Sequence, residues 1–215
     1  MALKPETSKV EKPTPNRGLT RQKIIAAALE EFATRGKQGA RIDRIAKNAG
    51  VNKAMIYYHF DSKDSLYLEV VTSFFRSVSE RAKNTVLVTD TLEDALMALT
   101  KLHADMFLQS KQFAPLILRE LSDSNPEILD EISEIFNTAG IPQKIAALLG
   151  DGMRAGAYRQ TDIRQALVAF ASMSLYYHIM APFINRLLSI DNPRQFAAER
   201  QKVIVDIFLN GLKVR

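Results

Sequence analysis

Cysteine is absent from this chain of 215 residues. That excludes a disulfide framework and a thiolate metal site, and it fits a reducing, cytoplasmic setting. Histidine is scarce, limited to His59, His103 and His178. His103 stands near Asp105, but residues two apart do not share a helix face, so the pair is no triad. No paired-His motif and no Gly-rich phosphate cradle occurs. With no nucleophile–base pair, metal cluster or phosphate loop, neither catalysis nor a cofactor is expected. Residues 1–18 are polar, contain Pro5, Pro13 and Pro15, and hold no apolar run that would serve as a signal peptide. Beyond residue 64 no strand signal is found, and nowhere is there an internal repeat or a low-complexity tract.

One long uncharged run does occur. Gln165–Asn185 is 21 residues without Asp, Glu, Lys or Arg, which approaches a bilayer-spanning length. It also carries Ser172, Ser174, His178, Pro182 and two tyrosines. That polar content suits a helix buried between protein surfaces, so no membrane span is expected.

Charge is unevenly divided. Residues 1–63 hold 13 Lys and Arg against 6 Asp and Glu, whereas the rest is slightly acidic, within a total of +5. A basic segment of this kind either keeps a small domain soluble or marks a phosphate-binding module.

The basic segment contains the most informative motif, Arg41–Phe60. Ile42, Ile45, Ala46 and Ala49 follow the spacing of one helical face. Gly50 stands where that helix must end, because glycine accepts the positive φ of a tight turn. Val51, Ile56 and Phe60 return to the core side. Ala46 supplies the small residue that two crossing helices need at closest approach. A small residue, a glycine four later and an apolar residue six after that form a helix-turn-helix pattern. Upstream, Ile24, Ile25, Ala28, Leu29 and Phe32 make an apolar stripe, with Thr20 as N-cap and Gly36 as stop. Downstream, Ser62 caps a further helix whose stripe is Leu66, Val70, Val71, Phe74 and Val78.

On these residues the chain resembles the tetracycline-repressor (TetR) family of transcriptional regulators. The likeness rests on Ala28, Phe32, Gly36, Ile45-Ala46, Ala49-Gly50-Val51, Ile56-Tyr57-Tyr58-His59-Phe60, Ser62-Lys63 and Leu66. It spans residues 20–66, about a fifth of the chain. The family usually has Thr capping the second helix, where this chain has Arg41. Arginine has no acceptor, so the expectation is that Gly39 caps and Arg41 meets a phosphate by charge.

The resemblance implies an all-α protein: a three-helix DNA-binding domain at 19–64, preceded by a basic arm at 1–18, and a larger helical domain at 65–215 for ligand binding and dimerisation. The arm either reaches a neighbouring minor groove or is an untidy terminus. Further helices are expected near 63–84, 91–110, 112–122, 126–150 (with a kink or split at 139–142), 162–188 and 193–213, with Gly150, Gly152 and Gly156 marking a frayed end. The helices near 162–188 and 193–213 are broadly apolar, and the resemblance implies that they pair with their copies in a homodimer on a palindromic operator.

Family roles carried onto matching positions make Lys53, Ala54, Met55 and Tyr58 the groove-facing set. Asn52, Tyr57, His59 and Lys63 become phosphate contacts, beside Arg41. The alternatives are that Tyr57 or Tyr58 is half-buried core and that Met55 packs inward. The resemblance also implies a small, largely apolar effector. Met97, Met106, Phe107, Phe113, Met153, Phe170, Met173 and Tyr177 are the candidate lining, although Met and Phe at helical spacing also make ordinary core. Glu120 either selects a cation, if buried, or pairs with Arg119 at the surface. A regulator that binds DNA constitutively, without an effector, is the competing reading.

Overall fold

The computed structural model describes residues 17–109 and 126–214. These residues form nine helices: α1 (Arg17–Gly39), α2 (Ile42–Ala49), α3 (Lys53–His59), α4 (Lys63–Thr85), α5 (Leu92–Gln109), α6 (Pro126–Ala139), α7 (Ile141–Arg154), α8 (Ile163–Leu187) and α9 (Pro193–Leu212). The fold is all-α, an N-terminal helix-turn-helix domain followed by a larger helical one. Two compact units divide the chain, one ending at Leu66 and the other starting at Tyr67. The expected helix near 112–122, with Phe113, Arg119 and Glu120, lies outside the described residues.

In the first unit α1 packs on α2, and α2 on α3. Ile24, Ala28, Phe32, Ile45, Ala46, Ile56, Phe60 and Leu66 are buried. Burying each large apolar side chain stabilises by about 1.5–3 kcal/mol. That matters most for α3, because an isolated helix of seven residues does not hold itself in water. Ile56 within it and Phe60 just after it are its anchors.

Several sequence expectations for the first unit are corrected. Arg17 and Gly18 are helical, so α1 begins inside the expected arm, and Thr20 lies within α1 instead of capping it. Gly36, at φ 67° and ψ 170°, does break α1. The residue preceding α2 is Arg41 in extended conformation, with no side-chain cap. Gly39 is therefore not the cap. The Arg41 backbone N–H is itself satisfied from α1, donating to the Glu31 carboxylate at 3.1 Å.

In the second unit α5 packs against α7, α8 and α9, while α8 also meets α7 and α9. Leu96, Leu102, Ile145, Leu149, Phe170, Ile204 and Leu209 are among its buried core. The helix expected over 126–150 is two helices split at Gly140, which adopts φ 76°. The second runs on to Arg154, so Gly150 and Gly152 are not frayed ends. Gly152 has a packing reason: a Cβ there would come within 2.2 Å of the Tyr158 ring. After this turn the chain pairs Tyr158 with Lys213 in a single antiparallel bridge.

The α8 helix was expected to be buried on most sides. Within one chain it is not. Val168, Tyr176, Phe183 and Leu187 are all more than half exposed, and on α9 so is Ile207. By length and composition alone, α8 is apolar enough to cross a membrane. Its inner face is nevertheless polar in places, with Ser174 and Tyr177 buried and hydrogen-bonded.

Candidate nucleic-acid interface

The turn between α2 and α3 is closed by the backbone. Gly50 takes φ 68° and ψ 33°, and Val51 N–H returns to Ala46 C=O at 3.0 Å. Gly50 N–H bonds Lys47 C=O at 3.2 Å, completing a Schellman pair. A side chain at Gly50 would meet no neighbour, so the demand for glycine is conformational. Asn52 then caps α3, its side-chain oxygen accepting Met55 N–H at 2.8 Å. This leaves the Asn52 amide NH2 as the part able to reach a phosphate.

With Ile56 inward, four of the other residues of α3 turn outward. Lys53 and Ala54 are exposed, and Tyr57 and Tyr58 are 45% and 62% exposed. Neither tyrosine is core. Met55 is half-buried. Lys53 Nζ lies 3.0 Å from Asp43 Oδ1 on α2. The hydrogen bond to Asp43 raises the Lys53 pKa, and the Asp43 charge adds to this. The ammonium therefore stays charged, and the exposed pair can exchange for another acceptor at little cost.

Arg41 and Lys63 flank this face. The Arg41 side chain is exposed, while its backbone is tied to Glu31. Lys63 Nζ bonds the Ala40 carbonyl at 3.4 Å, a long contact that leaves two ammonium hydrogens for other acceptors. Ser62 caps α4 as expected, accepting Ser65 N–H at 3.0 Å. His59 differs from the rest of the set. Its Nε2 is buried without a hydrogen-bond partner, and the ring sits edge-on to Tyr58 at 5.3 Å. That nitrogen does not present itself to a phosphate.

Sequence reasoning missed three contributors. Arg17 places its guanidinium 5.0 Å from the Tyr58 ring centroid, a cation–π contact from the start of α1 to α3. Arg21 stands 5.3 Å from the Phe60 centroid. Glu31, only 6% exposed, accepts from Arg44 Nε at 2.7 Å and faces Arg35 at 3.5 Å. Burial alone would raise its pKa, but the Arg44 and Arg41 hydrogen bonds, together with the Arg44 and Arg35 charges, outweigh burial and hold the carboxyl below its usual range. A carboxylate on an otherwise apolar face was the available signal. It falls seven residues after Ile24 and three after Ala28, on the buried side of α1.

The expected effector residues that are described belong to the second unit. Met106, Met153, Phe170 and Tyr177 are buried, and Met97, Phe107 and Met173 pack partly buried against the core. Met153 and Phe170 sit among Ile145, Leu149 and Ile204 as ordinary core members. Among the described residues no cluster of His, Asp and Glu is arranged to hold a metal.

Residues 24–70 match the family model described as bacterial regulatory proteins, tetR family. Over 201 residues the chain is 26% identical to the HTH-type transcriptional repressor NicS of Pseudomonas putida, covering 90% of this chain and 92% of that one. Over 55 residues it is 44% identical to the IcaR negative transcriptional regulator of the Staphylococcus aureus biofilm operon, covering 26% and 30% of the two chains. Its fold matches that of FadR from Bacillus subtilis, solved with stearoyl-CoA, at a TM-score of 0.70 and 20% identity over 88% of this chain and 98% of that one. The helix-turn-helix geometry and the matched segment agree: residues 24–70 form a DNA-binding domain of the tetR family of bacterial regulatory proteins, in a chain similar over most of its length to a transcriptional repressor.

Proposed function

We propose that the protein is a ligand-responsive repressor that binds a palindromic operator as a homodimer and leaves it when a small effector binds the second unit. The observation that carries the DNA reading is the split of α3. One buried residue, Ile56, holds the helix, while Lys53, Ala54, Tyr57 and Tyr58 face outward. A helix anchored on so little core and carrying donors and aromatic rings outward suits a major groove. In this reading Lys53 donates to guanine, and Ala54 or Met55 touches a thymine methyl. Tyr58 lies beside the bases, braced by Arg17. Arg41, Asn52, Tyr57 and Lys63 meet phosphates, and His59 contributes by packing.

The exposed apolar residues of α8 and α9 support the homodimer. Val168, Tyr176, Phe183, Val203 and Ile207 would be covered by a second copy, and two recognition helices would read a palindrome. The effector acts by linkage: a ligand that favours a conformation with badly spaced recognition helices lowers operator affinity by the same coupling free energy. Helix α4 starts at the Ser62 cap of the first unit and continues as part of the second, so it is the natural transmitter.

A salt-titrated shift assay on the DNA upstream of the chain's own gene tests this reading. A retarded band that weakens steeply with salt is expected, with a footprint over an inverted repeat. Lys63→Ala should weaken all sequences alike and flatten the log–log salt slope by about one unit. Equal affinity for random duplex and upstream DNA would end the claim of specificity.

A further inference from the structure

The second unit brings three nitrogen-bearing side chains to one place among aromatic rings. His103 on α5 and Ser174 on α8 are joined, Nδ1 to Oγ, at 2.8 Å. One turn further along both helices, Phe107 and His178 stack with centroids 5.6 Å apart and planes 9° from parallel. Arg200 arrives from α9. Its Nη2 donates to the Met173 carbonyl at 3.2 Å, and its guanidinium carbon lies 5.6 Å from the Tyr177 centroid. Tyr177 in turn packs on Phe196 at 5.0 Å and donates its hydroxyl to Asn185 Oδ1 at 2.9 Å.

Among the described residues the charges here are unbalanced. Burial lowers His103 to about 4, helped by the nearness of His178. Burial, and then the Arg200 charge, lower His178. Both imidazoles are therefore neutral near pH 7, and Arg200 is the fixed positive charge. Among the described residues no carboxylate forms an ion pair with it, and its Nε is buried without an acceptor. A guanidinium N–H removed from water with nothing to accept it is costly, and a bound acceptor would relieve that cost.

We propose that Arg200 binds the anionic group of the effector, and that this group is a carboxylate carried on an aromatic or acyl body. The proposal rests on the reading that the second unit holds a small effector. One fixed cation beside the neutral His178 matches a single negative charge, whereas a phosphate dianion would call for more donors. The planar fork of arginine fits a carboxylate. Phe107, Tyr177, His178 and Phe196 supply flat faces for the body of the ligand, and Met173 an adaptable one.

The test uses the full-length protein at pH 7, with binding read by calorimetry and thermal shift. The probes are benzoate, phenylacetate, octanoate and decanoate, each set against its neutral amide. At least one carboxylate should bind and raise the melting temperature, with its amide about 10- to 100-fold weaker. Arg200→Gln should bring that ratio to about one. Arg200→Lys keeps the charge without the fork, so it should weaken binding yet retain the preference for carboxylate. Cooperative melting of both ligand-free variants checks that they fold, and if Arg200→Gln does not, Arg200→Lys decides. Amides binding as well as carboxylates, an unchanged ratio in Arg200→Gln, or no carboxylate binding at millimolar concentration overturns the site. Operator binding by the same preparations separates the two readings. A protein that binds operator but ignores carboxylates loses this site and keeps its regulatory function. One that binds carboxylates through Arg200 but no duplex DNA does the reverse.

Discussion

Arg44 on α2 reaches back thirteen residues to Glu31 on α1, placing Nε and Nη2 each 2.7 Å from the same carboxylate oxygen. That oxygen also accepts the Arg41 backbone N–H at the head of α2. One buried carboxylate thus does two jobs. It fixes the two helices to each other, and it accepts the backbone N–H of the N-cap residue, the bond that a glutamate three residues after the cap makes in a capping box. The tyrosines of α3 depend on this, because α3 hangs from α2 through the Gly50 turn.

The two partners should respond unequally to removal. Arg44→Ala leaves Glu31 charged and buried, with a half-exposed Arg35 as its remaining side-chain partner. It should cost about 3 kcal/mol, at the lower end for a broken buried pair. Glu31→Leu removes the buried charge, fills the space and lets Arg44 return to water. The lost acceptor for Arg41 N–H should then dominate, at about 1 kcal/mol. Urea unfolding of both variants checks the order. If Glu31→Leu is as damaging as Arg44→Ala, the carboxylate matters by its own bonds and not by the charge left behind.

Lys53 and Asp43 form the exposed counterpart of that pair, at 3.0 Å. Asp43→Asn should free Lys53 and remove a negative charge beside the phosphates, so operator affinity should rise severalfold at low salt and less at high salt. Lys53→Ala should relax preference at one base pair by about 10- to 100-fold. Binding across an operator library is the measurement. A uniform loss for Lys53→Ala would move this lysine to the phosphate contacts.

Much of the first unit was legible in the sequence because short-range rules act there. Apolar spacing gave α2, Gly50 gave the turn, and Ser62 gave the α4 cap. Position 41 misled, since the acceptor for its N–H comes from Glu31, ten residues upstream and across a helix packing. His59 misled for a similar reason. A polar ring in a run of exposed aromatics reads as surface, and only packing shows that Nε2 is covered. In the second unit, helix positions followed from periodicity and breakers. Which face of α8 is covered did not, because an apolar residue looks the same whether its partner lies in the same chain or in another. The Arg200 cluster was illegible, as it joins α8 and α9 to α5, which lies far upstream in sequence.

The neutral histidine behind that cluster makes stability depend on pH. His103 titrates near 6.5 when unfolded and at about 4 when folded. Its folded pKa is lowered, so stability is complete above pH 6.5 and is lost as pH falls from there towards 4, where the unfolded chain takes up a proton and the folded one does not. The loss should approach about 3 kcal/mol at most. His178 is lowered for the same reason, burial first, and adds in the same direction. Urea midpoints at pH 7.5, 6 and 5 should fall in that order, and His103→Gln should flatten the trend. An unchanged slope in His103→Gln would assign the pH dependence to other groups.

The apolar surface of α8 and α9 yields the last expectation. Phe183 and Ile207 are 56% and 59% exposed in one chain of 24.1 kDa. In a two-fold interface each substitution occurs twice, so its cost is counted twice. Placing a carboxylate at either position would bury a charge without a partner, which costs several kcal/mol per site where water is excluded. Phe183→Glu and Ile207→Glu should each shift sedimentation from dimer to monomer at micromolar concentration, with a native helical spectrum retained. The monomer should still bind a half-site, but weakly, because each recognition helix would then read its few base pairs alone. If both variants sediment as dimers, the pairing surface lies elsewhere and the exposed face of α8 has another occupant. If they are monomeric yet hold the full palindrome as tightly as the parent, pairing contributes nothing to operator recognition.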